Sequence, residues 1–131
     1  MMLEALATKL QLASVGTVAV DIFIGLMPNT PDACVALFEG PGQVPLEVMQ
    51  SNSATLERPT VQVMVRGSRA DYPGTRTKIV DVRDVLCGIT DETLSGVRFL
   101  RVMSEGSMTP LGVDDNDRPQ FAMTFSVMVE R

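Results

Sequence analysis

Asp114, Asp115 and Asp117 form the densest group of metal-type ligands in this 131-residue sequence. A calcium loop needs ligands at alternating positions, a glycine for its sharp turn and a closing glutamate, and neither glycine nor glutamate follows here at that spacing. Pro119 and an alternating strand come too soon, so the cluster reads as a solvated hairpin turn. Asp81 and Asp84 could suggest acid–base work, but flanked by Lys78 and Arg83 on a helix they make an exposed charged face. The chain contains no histidine. That absence removes the commonest general base, the Ser-His and Cys-His nucleophile pairs and every His-containing metal site. Gly40-Pro41-Gly42 has neither the Lys-Ser/Thr ending of a phosphate loop nor the spacing of a dinucleotide fingerprint. Cys87 sits at a helix C-terminus, where the dipole disfavours a thiolate. No catalytic, cofactor-binding or metal-ligating residue emerges, and the chain is not expected to be an enzyme.

The basic residues carry more information. Arg58, Arg66, Arg98 and Arg101 fall on strands or strand ends, where a guanidinium among apolar neighbours seeks a carboxylate. Two readings stay open: an edge salt bridge within the chain, or a contact between subunits with the acidic turn. The candidate interface set is Arg58, Gln62, Arg66 and Arg101 on the strands, with Asp114, Asp117 and Arg118 at the turn. Met64, Met103, Met108, Met123 and Met128 are either core filler or adaptable contact residues.

These residues must be positioned by a small set of elements. Met2 to Gln11 places Leu3, Leu6, Ala7 and Leu10 on one stripe, an amphipathic helix ending before Gly16. Val18 to Met27 and Ala33 to Phe38 read as two strands joined by Pro28-Asn29-Thr30-Pro31-Asp32, a β-hairpin. Gln43 to Glu57 has no sustained period and reads as a long loop, a length usually functional or ordered by a partner. From Thr60 to Arg66, Val61, Val63 and Val65 take one face and Gln62, Met64 and Arg66 the other. A helix follows on the Tyr72, Thr75, Ile79, Val82, Leu86 stripe, with Asp71 as N-cap, Pro73 in the first turn and Gly88 at the C-cap. Ile89 to Ser95 reads as a solvated turn and Val97 to Met103 as a strand with two mixed faces. Phe121 to Glu130 is the clearest alternation in the chain. The pattern gives an α+β fold: one domain over 1–131, with an antiparallel or mixed sheet of about five strands and two helices on one face.

An apolar share of 45% and a charged share of 21% suit a soluble globular chain, and no apolar run approaches the roughly eighteen residues of a membrane span. The start of the chain has no basic leader, so export and membrane attachment are not expected. Two cysteines far apart in sequence are expected to be buried, reduced thiols. A net charge of −5 argues against a nucleic-acid-binding module, though not against a surface that lets DNA slide past.

The run DIFIGLMPNTPDACVALFE, a Gly/Pro loop, ERPTVQVMVRG, a helix ending VLCG, and LGVDDNDRPQFAMTFSVMVE resemble, in that order, the minor capsid and tail terminator proteins of long-tailed bacteriophages. The likeness runs from about Asp21 to Glu130, and is most specific at Gln62–Gly67 and at Leu111–Val127. It departs from the family at Pro73-Gly74 and at Thr124, where an asparagine is usual. The resemblance implies a virion protein, assembled in the host cytoplasm, that forms a homohexameric ring on the head-proximal end of the tail tube. There it stops tube polymerisation and joins tail to head, meeting the tail tube protein and the head–tail connector proteins, while genomic DNA passes through the lumen without specific binding. A head-side connector or adaptor of the virion, and a small ligand-binding α+β module, are the alternatives.

Overall fold

A computed structural model of the chain describes residues 2–13, 15–29, 31–47, 55–94, 96–114 and 117–130. In chain order the elements are α1 (Met2–Leu12), β1 (Ile22–Ile24), β2 (Cys34–Glu47), β3 (Thr55–Arg66), α2 (Tyr72–Cys87), β4 (Thr90–Leu94), β5 (Val97–Ser104), β6 (Thr109–Val113) and β7 (Pro119–Glu130). The strands make one mixed sheet in the order β1-β2-β3-β7-β5-β4, with β6 also pairing with β7. The α+β class therefore holds, with seven strands rather than about five. The two additional strands are β4, expected as a solvated turn, and β6, in a stretch where no strand was expected.

Both helices cover one face. Leu3, Leu6 and Leu10 of α1 and Ile79, Val82 and Leu86 of α2 share a core cluster with Val61, Val63 and Val65 of β3 and with Phe121, Met123, Phe125, Val127 and Val129 of β7. The period-two valines and the period-3.6 leucines thus bury each other, each large side chain contributing on the order of 1.5–3 kcal/mol. Asp71 caps α2, its carboxylate accepting from the Gly74 N–H at 3.2 Å. That carboxylate occupies the space a Cβ on residue 74 would need, which is why a poor helix former stands there. Gly88 does end α2, but with right-handed dihedrals (φ −80°) rather than as a left-handed cap. Among the described residues no helix is long and apolar enough to cross a membrane.

Two local expectations are corrected and one is explained. β1 pairs with β2 in parallel, Ile22 beside Val35 and Ile24 beside Leu37, so the segment is not a hairpin. Most of the Gln43–Glu57 loop consists instead of hairpin arms, with Gln43 opposite Arg58 and Glu47 opposite Thr55; residues 48–54 lie outside the described residues. Pro41, Gly42 and Pro45 had hidden these arms, since neither residue type suits a strand interior. In β5 the register slips between Phe99 and Arg101. That irregularity turns Phe99 and Val102, three apart, into the same core, which accounts for a strand that reads as mixed on both faces.

Candidate assembly surfaces

A parallel pair requires its connection to cross a face of the sheet. The segment between β1 and β2 makes this crossing, and two buried arginines hold its described residues Pro28, Asn29, Pro31 and Asp32. Arg66, in register with Cys34 and Gln120, belongs to the helix-free face and is 4% exposed. Its Nε donates to the Asp32 carbonyl at 2.9 Å, and its Nη2 to the carbonyls of Pro28 at 2.6 Å and Pro31 at 2.7 Å. Arg118, also 4% exposed, donates through Nη1 to the Asn29 carbonyl at 2.6 Å and the Asp32 carboxylate at 3.2 Å, and through Nη2 to the Asn29 side chain at 2.9 Å. Its Nε donates to Asp114 at 2.8 Å. Hydrogen bonding to Asp114 raises the Arg118 pKa further above its ordinary value against the opposing effect of burial, and Asp32 adds to the rise. Four residues of an irregular connection, Pro28, Asn29, Pro31 and Asp32, are thereby fixed by fixed-charge donors that cannot deprotonate. Cys34 and Ala36 are buried at the same end of the sheet.

The acidic turn is the β6–β7 hairpin, closed on its own chain. Asp114 N donates to Arg118 O at 3.1 Å and Asp117 N to Asp114 O at 3.1 Å, with Asp117 at φ +58°. Asp114 holds the Arg118 side chain, so it is not the solvated residue expected. Asp117 reaches the exposed Arg69 at 3.3 Å. The structure therefore gives Arg66, Arg118 and Asp114 partners within the chain, and brings these three residues together around one loop.

The remaining candidates lie elsewhere on the helix-free face. Gln62 pairs with Phe38 on one side and Thr124 on the other, and Arg101 pairs with Met128. The β3–β7 register carries Arg58 to the opposite flank of Met128, bracketed by the Glu57–Val129 and Thr60–Ser126 pairs. Arg98 sits one row further along, opposite Glu130, and bonds Glu130 at 2.6 Å and Asp91 at 2.9 Å. These bonds, that to Asp91 first, raise the Arg98 pKa. Where the chain passes from β5 to β6, Gln62, Glu105, Thr109, Leu111, Ala122 and Thr124 line a shallow groove of about 380 Å³. Of the flagged methionines, Met123 is core, whereas Met64, Met103 and Met128 fall on this uncovered face. Both cysteines are free thiols; Cys34 is buried as expected, but Cys87 is exposed.

Sequence reasoning missed Asn29 and Asp32 as arginine partners, because nothing local links a Pro/Asn/Asp turn to a guanidinium some eighty positions later. It also missed Asp91, read as solvated, and Glu105.

A family model described as a bacteriophage tail terminator protein matches residues 9–131. Among solved structures, a chain of the virion of a native gene transfer agent particle superposes with a TM-score of 0.72 at 19% identity, over 99% of this chain and 95% of that one. A second solved chain gives 0.60 at 14% identity, over 98% and 92%. At these identities the likeness establishes the fold. No curated protein sequence matches.

Proposed function

The chain belongs to the bacteriophage tail terminator family, and from that membership we propose that it assembles as a homohexameric ring on the head-proximal end of a tail tube. In this reading it is a structural protein of the virion, assembled in the host cytoplasm. It stops tube polymerisation and provides the surface on which tail and head connector proteins meet. Genomic DNA passes through the lumen, and an acidic chain of net charge −5 keeps it from adhering to the wall. The family match over residues 9–131 is the observation that carries this reading.

The surfaces divide the work. Arg58, Gln62 and Arg101 make subunit contacts from the helix-free face. Arg66, Asp114 and Arg118 serve the interface by fixing the 25–33 connection, and Asp117 borders it from the hairpin turn. The β2–β3 arms reach toward a neighbour or the tube.

The test is polymerisation of the cognate tail tube protein with and without this chain. Added chain is expected to halt elongation and to appear as a ring at one tube end by electron microscopy. Tubes that lengthen equally in its presence would remove the terminator reading.

A further inference from the structure

Among the described residues, two exposed stripes stand out once the intramolecular ion pairs are assigned. On α2, Arg76, Val80 and Asp84 follow at intervals of four and so run along one side of the helix. Arg76 and Asp84 are exposed and Val80 is half-buried. On the helix-free face, Arg101, Met103 and Glu105 alternate, all exposed, with Met103 at 46%. Arg101 and Met103 pair with Met128 and Ser126, and Glu105 N donates to Thr124 O at 2.9 Å, so the three follow one edge of the uncovered side of β7. Among the described residues Arg76, Arg101 and Glu105 form no side-chain ion pair, and Asp84 reaches only its neighbour Arg83, at 3.3 Å.

The two stripes match in length and are opposite in sign. Arg76 and Asp84 are about 12 Å apart along a helix rising 1.5 Å per residue. Glu105 and Arg101 are about 13 Å apart along a strand rising 3.3 Å per residue. Each has one apolar residue at its midpoint, Val80 on the helix and the adaptable Met103 on the strand. The groove beside Glu105 is concave, and a helix is convex.

We propose that α2 of one copy lies along β5 on the helix-free face of the next copy, with Arg76 at Glu105, Val80 on Met103 and Asp84 at Arg101. The contact rests on the ring reading and gives it a direction. It joins two different surfaces, and such a head-to-tail contact closes into a ring when its rotation permits.

Sedimentation velocity on the full chain tests it. Arg101→Glu and Asp84→Arg each place like charges in the contact, and each variant alone is expected to lose the assembled species. Mixed in equal amounts they are expected to regain it, because the reversed helix meets the reversed face and the native helix meets the native face in alternation around a six-membered ring. The mixture also serves as the folding control, since a misfolded variant could not be rescued. Wild-type rings together with assembly of either variant alone, or with no assembly of the mixture, would overturn this contact and leave the ring reading standing. A wild-type chain that stays monomeric would remove the ring reading itself. A contact between two copies of α2 would leave Arg101→Glu unaffected, and so also counts against the proposal.

Discussion

The Arg118 guanidinium reaches the main-chain carbonyl of Asn29 at 2.6 Å across 89 positions of sequence, while Arg66 reaches three other carbonyls of the same connection. Removing Arg66 leaves those carbonyls without partners in a part-buried site. Arg66→Ala is expected to cost about 3 kcal/mol, the scale of losing several charge-assisted hydrogen bonds. Arg118→Ala is expected to lower the unfolding midpoint as well, and Arg118→Lys not to restore it, because an ammonium cannot span Asn29, Asp32 and Asp114 at once. Urea unfolding measures the loss, and faster amide exchange confined to residues 25–33 would localise it. Arg101→Ala, at an exposed position, should change stability by less than about 0.5 kcal/mol.

Gly67 lies against the first turn of α2 so closely that a Cβ there would fall on the Thr75 hydroxyl and come within 3.4 Å of the Asp71 carbonyl. Thr75 is itself 2% exposed, its hydroxyl donating to Asp71 O at 2.7 Å. Gly67→Ala is therefore expected to destabilise by about 1–3 kcal/mol, the range for overpacking. Combining it with Thr75→Ala should give less than the sum of the two single costs, because the second change removes the clashing oxygen. A double-mutant cycle by chemical denaturation reads this coupling. Strict additivity would contradict the close approach.

Burial pushes the Cys34 thiol pKa up, with Arg66 and Arg118 opposing that rise. A raised pKa means the fold favours the protonated thiol. The unfolded chain therefore gives up this proton first, so the contribution of Cys34 to stability is intact below the ordinary thiol range and lost as pH climbs through and above it. Cys87 is exposed. A thiol reagent at pH 8 is expected to modify one cysteine rapidly in the native protein, identified by peptide mapping as Cys87, and Cys34 only after denaturant is added. Equal native rates would contradict the buried placement of Cys34.

The parts of the fold legible from sequence are those where one face decides everything. Val61, Val63 and Val65, the Phe121–Val129 alternation and the two leucine-bearing helix stripes landed in the core, because a one-residue slip would have turned each set to solvent. What was not legible depended on partners far along the chain. The residues around Pro28–Asp32 suit a hairpin turn and a parallel crossing equally well locally, and Arg66 and Arg118 decide between them. The β5 register shift after Phe99 has no local signature, and Thr90–Leu94 is too polar to read as a strand until β5 is beside it. For the same reason the arginines could be recognised as seeking carboxylates while their partners could not be named. Arg98 found Asp91 and Glu130, and Arg118 found Asp114 and Asp32.

This chain belongs to the tail terminator family, and the proposed ring requires that copies of it close on one another through two different surfaces. Negative-stain electron microscopy of the purified protein, across a concentration series, tests this most directly. Rings of uniform diameter with a central opening and six-fold averages are the expected result, weakening as salt is raised because exposed charge pairs contribute to the contact. Particles that remain single 14.2 kDa monomers at every concentration, or pair only into closed two-fold dimers, would contradict it.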